Sequence, residues 1–144
     1  MVGLNTKLKL TRDGKMIKTK NFNSDVDTKL KCTCGHPLCD KRSVDQETLD
    51  QVQKIREDLG KPMAITSGGR CPYHPNEAKK SKAGDHQLCK AVDIACDNEL
   101  DETRLKVLAG RYAATRAAGG AYCGFVHIAW TETDRKDVPT WSYK

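Results

Sequence analysis

The chain has 144 residues, of which 38% are hydrophobic and 31% are charged, and its formal net charge is +6. These values are typical of one globular domain with a modest core, and no apolar run reaches the ~20 residues needed to span a bilayer. The lysines are scattered and are not interleaved with aromatic residues, so the composition argues against specific nucleic-acid binding.

Residues 1–10 alternate lysines with apolar residues and lack the continuous apolar stretch of a signal peptide. We therefore expect synthesis in the cytoplasm, with later release if the protein acts elsewhere, and we expect a monomer. Residues 7–18 are predicted to form a β-hairpin around the turn Asp13-Gly14.

The clearest predicted helix covers residues 43–59. Ser43 and Gln46 have the spacing of a capping box, and apolar residues then recur at helical intervals. Gly60 is predicted to end the helix, since glycine readily adopts the left-handed conformation found after helices.

The rest of the chain alternates between short apolar segments and one further helix. We predict strands over residues 63–66, 91–96 and 125–130, and a helix over residues 101–118. Residues 67–87 are rich in Gly, Pro, Asn and Lys and are predicted to form a long loop, and loops of this length in a small domain usually carry function.

Two of these strands carry candidate metal ligands. Alternation along residues 91–96 places Asp93 opposite an apolar face, and residues 125–130 place His127 in the same way. His86 lies seven residues before Asp93. Two histidines and one carboxylate leave a fourth position for water, as in catalytic zinc sites. The alternative is that the three side chains never meet.

Three segments together resemble the zinc D-Ala-D-Ala peptidases, a family that includes phage endolysins, bacterial L,D- and D,D-peptidases and the hedgehog signalling domain. They are ITSGGRCPYH at residues 65–74, HQLCKAVDI at 86–94 and FVHI at 125–128. The family pattern is a strand ending in Ser-Gly-Tyr-Arg, then His-x6-Asp, then a strand with the last His. The resemblance covers about residues 32–130.

The resemblance implies an α+β fold, with a small antiparallel sheet that carries the zinc site and packs against two or three helices. His86, Asp93 and His127 would hold Zn²⁺. Arg70 would bind the carboxylate of the substrate or polarise the scissile carbonyl, roles that suit a planar and permanently charged guanidinium. Within one domain, the family core at 32–130 would follow an extension at 1–31 and precede a tail at 131–144.

The resemblance also exposes a missing catalytic group. A zinc hydrolase needs a general base, and phage-type relatives carry an Asp two residues after the last His. Here that residue is Ala129, predicted to lie on the same face as His127. The chain is then either a non-hydrolytic zinc domain or an enzyme whose Asp has been replaced. Asp85, Glu132 and Asp134 are candidate substitutes.

Two smaller departures from the family lie close to the predicted ligands. Gly69 stands where the family usually has an aromatic residue, which predicts a more open cleft wall. Cys89 stands where the family usually has glycine.

Cysteines form a second group of candidate ligands. The chain has seven, an odd number, so internal disulfides cannot use them all. Cys32, Cys34 and Cys39 are close in sequence, and Cys71 follows Arg70. The first three, together with Cys71 or with the nearby His74, could hold a second, structural zinc. Disulfides or free thiols are the alternative.

The function implied by the resemblance is that of a zinc metallopeptidase of the D-Ala-D-Ala carboxypeptidase/endopeptidase class. It would hydrolyse peptide bonds in the peptidoglycan stem or cross-link at the bacterial cell wall, as endolysins do, and Ala129 would impair it. The alternatives are a non-catalytic zinc-binding recognition domain of hedgehog type and a zinc-stabilised structural component.

Overall fold

The structure, a computed structural model, describes residues 16–119 and 124–131. The helices are α1 (Gln46–Leu59), the single turn α2 (Pro75–Ala78) and α3 (Glu99–Arg111), and a short 3-10 helix covers Thr28–Leu30. The strands are β1 (Ile65–Ser67), β2 (Ala91–Ala95), β3 (Arg116–Gly119) and β4 (Phe125–Ala129). Residues 7–15 of the predicted hairpin and residues 132–144 of the predicted tail lie outside the described residues.

The four strands form one antiparallel sheet in the order β1-β2-β4-β3. Its register aligns a row of residues across all four strands, because Ser67 lies opposite Asp93, Asp93 opposite His127, and His127 opposite Ala118. Side chains in such a row point to the same face of the sheet. The predicted α+β fold, with a small antiparallel sheet and helices, is confirmed.

The other face of the sheet builds the hydrophobic core. The strand residues that alternate with Asp93 and His127 are fully buried and pack with apolar residues of α1 and α3. These core residues are Val92, Ile94, Val126, Ile128, Leu49, Val52, Ile55, Leu105, Leu108 and Ala109. Burying one such Leu or Ile side chain stabilises the fold by roughly 1.5–3 kcal/mol. The predicted division of β2 and β4 into an apolar and a polar face is therefore confirmed.

Helix α1 begins later than predicted and has a different cap. The side chain of Asp45 accepts a hydrogen bond from the Thr48 amide at 2.8 Å, so Asp45 is the N-cap. The predicted capping box is wrong, because Ser43 lies in an extended segment paired with Lys31. Gly60 ends the helix with φ = 76°, as predicted.

The predicted helix over residues 101–118 ends early. Helix α3 stops at Arg111, and Ala113 has a φ of 62°, which an α-helix cannot accommodate. Residues 116–119 then pair with β4 as the edge strand β3. Gly119 lies inside this strand, where a Cβ would come within 2.9 Å of the Phe125 carbonyl oxygen.

The predicted loop over residues 67–87 contains the single turn α2, capped by the His74 ring, whose Nδ1 accepts from the Asn76 amide at 3.0 Å. Within the described part of the chain, no helix is both long and apolar enough to cross a membrane.

Candidate metal centre

The sheet brings the three predicted metal ligands together. Asp93 on β2 and His127 on β4 are register partners, and His86 reaches them from the segment before β2. His86 Nε2 and His127 Nδ1 lie 3.1 and 2.9 Å from Asp93 Oδ1, and the two nitrogens are 3.1 Å apart. All three side chains are buried. We call these residues the triad.

The donor atoms of the triad fit a zinc ion. Zinc bound at 2.0–2.1 Å in a tetrahedron holds its ligand atoms about 3.3 Å apart, so the observed spacings need to widen by only a few tenths of an ångström. Two imidazole nitrogens and one carboxylate oxygen are also a common catalytic zinc set. The geometry therefore suits the predicted ligand role.

Neighbouring groups fix the orientation of both imidazole rings. His86 Nδ1 donates to the Gly68 carbonyl oxygen at 2.7 Å, and His127 Nε2 donates to Asp85 Oδ2 at 3.0 Å. Each ring thus keeps its other nitrogen for a metal, and metal binding would displace the proton that this nitrogen shares with Asp93 in the metal-free cluster. Such outer partners are a regular feature of histidine metal sites, where they set the tautomer and raise ligand basicity.

Asp85 is itself held in place by a cation. Arg116 Nε lies 3.1 Å from Asp85 Oδ2, and both side chains are buried. Arg116 stands on β3 opposite Ala129. The earlier end of α3, which was not predicted, is what delivers this arginine to the site face of the sheet.

Charge within the cluster shifts the pKa values of the triad. Burial raises the pKa of Asp93, but hydrogen bonds from His127 and His86 outweigh it and hold that pKa well below its usual range. Burial lowers the pKa of His127, but hydrogen bonds to Asp85 and Asp93 outweigh it, and the net pKa is raised. Asp93 is therefore a carboxylate at any ordinary pH, which is the form that binds metal.

Arg70 lies on the wall of the cleft in front of the triad, and its guanidinium is already engaged. Its Nε donates to Ser67 Oγ at 3.2 Å, its Nη1 to Glu77 Oε2 at 3.2 Å, and its Nη2 lies 3.5 Å from Asp93 Oδ2. Arg70 thus orients the triad carboxylate from outside as well as facing the cleft. Its role towards substrate stays a prediction.

The cleft has a volume of about 760 Å³. Cationic side chains dominate its lining, which includes Arg70, Lys79, Lys80, Lys82 and Arg116 beside the triad. A cleft of this charge attracts anionic ligands.

Ala129 is fully buried on β4, two residues beyond His127 on the same face and between Ala91 and Arg116. Of the candidate substitutes for a carboxylate here, Glu132 and Asp134 lie outside the described residues. Asp85 is close, but it contacts His127 from the side away from Asp93.

Sequence reasoning missed three contributors to the site. They are the Gly68 carbonyl, Glu77 and Arg116, and only Glu77, an acid seven residues after Arg70, left any signal in the sequence. The expectation for Gly69 is wrong. A Cβ at Gly69 would collide with the Arg42 carbonyl oxygen, so this position faces the segment before α1 and does not widen the cleft.

The cysteine cluster is assembled too. The Sγ atoms of Cys32, Cys34, Cys39 and Cys71 all lie within 4.8 Å of one another, and each of the four is a free thiol.

Comparison with known proteins adds an independent finding. No curated protein matches the chain. A family model described as Peptidase M15 matches residues 20–129, a range that contains the cysteine cluster, the whole sheet and the triad. The match spans most of the chain and agrees with the family resemblance of the three motifs. The chain therefore belongs to the peptidase M15 family, whose members are zinc-dependent metallopeptidases.

Proposed function

We propose that the chain is a cell-wall peptidase domain of endolysin type, which binds zinc through His86, Asp93 and His127 and acts on peptide bonds in the peptidoglycan stem or cross-link. The observation that carries this proposal is the triad, whose three donor atoms lie 2.9–3.1 Å apart at the base of the cleft. Zinc in this site would supply a Lewis acid for the scissile carbonyl and lower the pKa of a water molecule.

The residues around the triad orient its side chains and would bind the substrate. Gly68 and Asp85 hold the two imidazole rings, and Arg70 holds Asp93 from the side. Lys79, Lys80 and Lys82 on the cleft lining would draw in the carboxylates of a stem peptide. We further propose that the domain works as a monomer at the bacterial cell wall after its release from the cytoplasm.

Within residues 16–119 and 124–131, the position expected to carry the general base for proton transfer is occupied by Ala129. A positioned general base typically contributes 10²–10⁴-fold to the rate. Position 129 lies on the same face of β4 as His127, but a methyl group occupies it, and Asp85 is committed to His127 and Arg116. We propose that the chain as it stands is an impaired peptidase and that a carboxylate at position 129 restores turnover.

The test is the Ala129→Asp variant, assayed with the unchanged chain on purified peptidoglycan by the release of new amino or carboxyl termini. We expect the variant to be faster by about 10²-fold or more. Ala95→Asp is the matched control, since Ala95 lies on the same face of the sheet, two residues beyond Asp93, and is exposed. It should leave the rate unchanged.

If the unchanged chain already turns over rapidly and Ala129→Asp adds nothing, position 129 is not the missing base. If neither chain cuts the peptidoglycan of any bacterium tested, although both bind zinc, the peptidase proposal fails.

The second candidate is a non-catalytic zinc-binding recognition domain. The observation that favours it is Ala129 itself, because a triad that keeps its ligands but lacks a nearby base can bind without cutting. This candidate predicts that both chains bind cell-wall fragments in a zinc-dependent manner and that neither releases products.

A further inference from the structure

A second group of metal-binding side chains lies outside the triad, beside the loop that carries Arg70. Residues 31–43 fold back on themselves, because Lys31 pairs with Ser43 and the Cys32 amide donates to the Arg42 carbonyl at 2.9 Å. Cys32, Cys34 and Cys39 lie within this closed loop. Cys71 joins them from a separate part of the chain, directly after Arg70.

The four cysteine sulfur atoms form one compact cluster. All four Sγ atoms lie within 4.8 Å of one another, and those of Cys34 and Cys71 are 3.5 Å apart. Zinc bound to four thiolates at about 2.3 Å in a tetrahedron places the sulfurs about 3.8 Å apart. A disulfide would require pairs at about 2.05 Å, and the four thiols are free. Four sulfurs around one centre match a metal site better than two disulfide pairs.

Backbone amides contact two of the four sulfurs. The His36 amide lies 3.5 Å from Cys34 Sγ, and the Lys41 amide lies 3.3 Å from Cys39 Sγ, so backbone N–H groups point at both sulfurs. Contacts of this kind orient metal ligands and stabilise negative charge on them. Lys41 on the same loop would offset part of the net negative charge of four thiolates around one divalent cation, and Arg42, which pairs with Asp40, adds a weaker attraction to Cys71.

We propose that Cys32, Cys34, Cys39 and Cys71 bind a second zinc ion in a closed, four-thiolate structural site. The donors are all soft, which selects zinc over magnesium or calcium. With four protein ligands the site has no position left for water or substrate, so its role is to hold the chain together. This inference does not depend on the proposed peptidase activity.

The cysteine zinc would fix the loop on which the triad depends. Cys71 is covalently next to Arg70, and the Gly69 amide in the same loop donates to the Leu30 carbonyl at 2.9 Å. Gly68 of this loop supplies the carbonyl that orients His86. A metal bridge from residues 32–39 to Cys71 therefore steadies both Arg70 and the His86 ring.

The test is the zinc content of the full chain, expressed with zinc and purified under reducing conditions. We expect two zinc ions per chain in the unchanged protein and one in Cys34→Ser/Cys39→Ser. His86→Ala should also retain one, in the cysteine site. The matched control is Cys96→Ser, because Cys96 is a half-buried thiol outside the cluster, bonded to the Asn98 carbonyl, and this variant should keep both ions.

Cobalt substitution identifies the ligand type from the absorption spectrum. Its deciding measurement uses the His86→Ala chain, in which all four cysteines are intact. The His86→Ala chain loaded with Co²⁺ should show intense thiolate-to-metal charge-transfer absorption, and the Cys34→Ser/Cys39→Ser chain should not. If the unchanged chain binds a single zinc that is lost in both His86→Ala and the cysteine variant, or if the charge-transfer band is missing in His86→Ala, the proposal is overturned.

Alkylation separates zinc from disulfides. When a sample of the unchanged chain purified without reductant is unfolded in chelator, all seven cysteines should react. Reaction of only three would mean that the cluster forms disulfides and would overturn the proposal. A single zinc that survives in His86→Ala and is lost only in the cysteine variant would support this site while contradicting the triad as a zinc site.

Discussion

Asp85 lines the cleft and contacts the triad through His127. Its Oδ2 accepts from His127 Nε2, and Arg116 lies 3.1 Å from the same oxygen. The arginine lies against the carboxylate, and the carboxylate keeps the His127 proton on Nε2. This arrangement makes Asp85 a positioning residue, because it sets which nitrogen of His127 faces Asp93.

Asp85→Asn should therefore weaken zinc binding by the triad about 10–100-fold, the usual cost of losing such a partner. The amide keeps the shape of the side chain but loses the charge that pairs with Arg116. Competition with a chromogenic chelator would measure the affinity, in the Cys34→Ser/Cys39→Ser background so that only the triad binds. The exposed residue Asp97 offers a control, Asp97→Asn, that should leave the affinity unchanged. An equal affinity in Asp85→Asn would show that His127 needs no carboxylate.

Glu77 has a comparable place beside Arg70. Its side chain is fully buried, and its Oε2 accepts from Arg70 Nη1 at 3.2 Å and from Lys80 Nζ at 3.0 Å. The buried Glu77 carboxylate lies between two cations and holds Arg70 against Asp93. Without that carboxylate, the largely buried Arg70 guanidinium would have fewer partners.

Glu77→Gln should lower the free energy of unfolding by roughly 1–3 kcal/mol, the typical cost of leaving a buried polar partner unsatisfied. Urea unfolding followed by circular dichroism measures this. Glu57→Gln on the exposed face of α1 should change stability far less. If the two variants unfold at the same urea concentration, the contact between Glu77 and Arg70 contributes nothing to stability.

Strands β2 and β4 were predictable because the alternation of apolar and polar side chains can be seen within a few consecutive residues. The valines and isoleucines that mark one face leave Asp93 and His127 on the other. Strand β3 was not predictable in this way, since the alanines of residues 113–118 fit a helix as well as an edge strand. What decides the matter is pairing with β4, which is non-local. The same error hid Arg116 and therefore the partner of Asp85.

Cys89 occupies a backbone conformation that would suit the glycine of the family pattern better than it suits cysteine. Its φ is 66°, in the left-handed region that costs an L-residue about 1–2 kcal/mol and costs glycine almost nothing. The turn before β2 thus favours glycine at this position, in line with the glycine that the family resemblance implies there. That preference cannot be read from a single sequence in which cysteine stands there.

Asp45 and Ser43 are the two candidate N-cap residues of helix α1, and their substitution should affect stability differently. Asp45 accepts from the Thr48 amide and also pairs with Lys90 at 2.8 Å, whereas the Ser43 hydroxyl donates to the Val44 carbonyl. Asp45→Ala should lower the free energy of unfolding by about 0.5–2 kcal/mol through loss of the cap. Asp45→Asn, which can still cap, should lose less. Chemical unfolding that found Ser43→Ala more damaging than Asp45→Ala would favour the original capping box.

For the whole molecule, the sheet separates two tasks. One face packs on α1 and α3 and supplies the core, and the other gathers the ligands of the triad from β2, β4 and the segment before β2. A metal bound by three separate parts of the chain exists only in the folded state, so its binding free energy adds to the free energy of unfolding.

Zinc should therefore raise the thermal stability of the whole chain. At a free zinc concentration one hundred times the dissociation constant, one site adds about 2.7 kcal/mol. For a chain of this length that corresponds to a rise in Tm of roughly 5–10 °C. Calorimetry on chelator-treated protein, before and after zinc is added, measures the change. Magnesium at the same concentration should produce no shift, because imidazole and thiolate donors bind it weakly.

The His127→Ala variant divides this stabilisation between the two sites. It removes a triad ligand from the centre of β4 but leaves the four cysteines in place, so zinc should still raise its Tm, by less than in the unchanged chain. The Cys34→Ser/Cys39→Ser chain should show the complementary partial shift. If the Tm of the unchanged chain does not depend on zinc, neither cluster binds the ion in the folded protein, and the triad and the cysteines are then only a network of polar contacts.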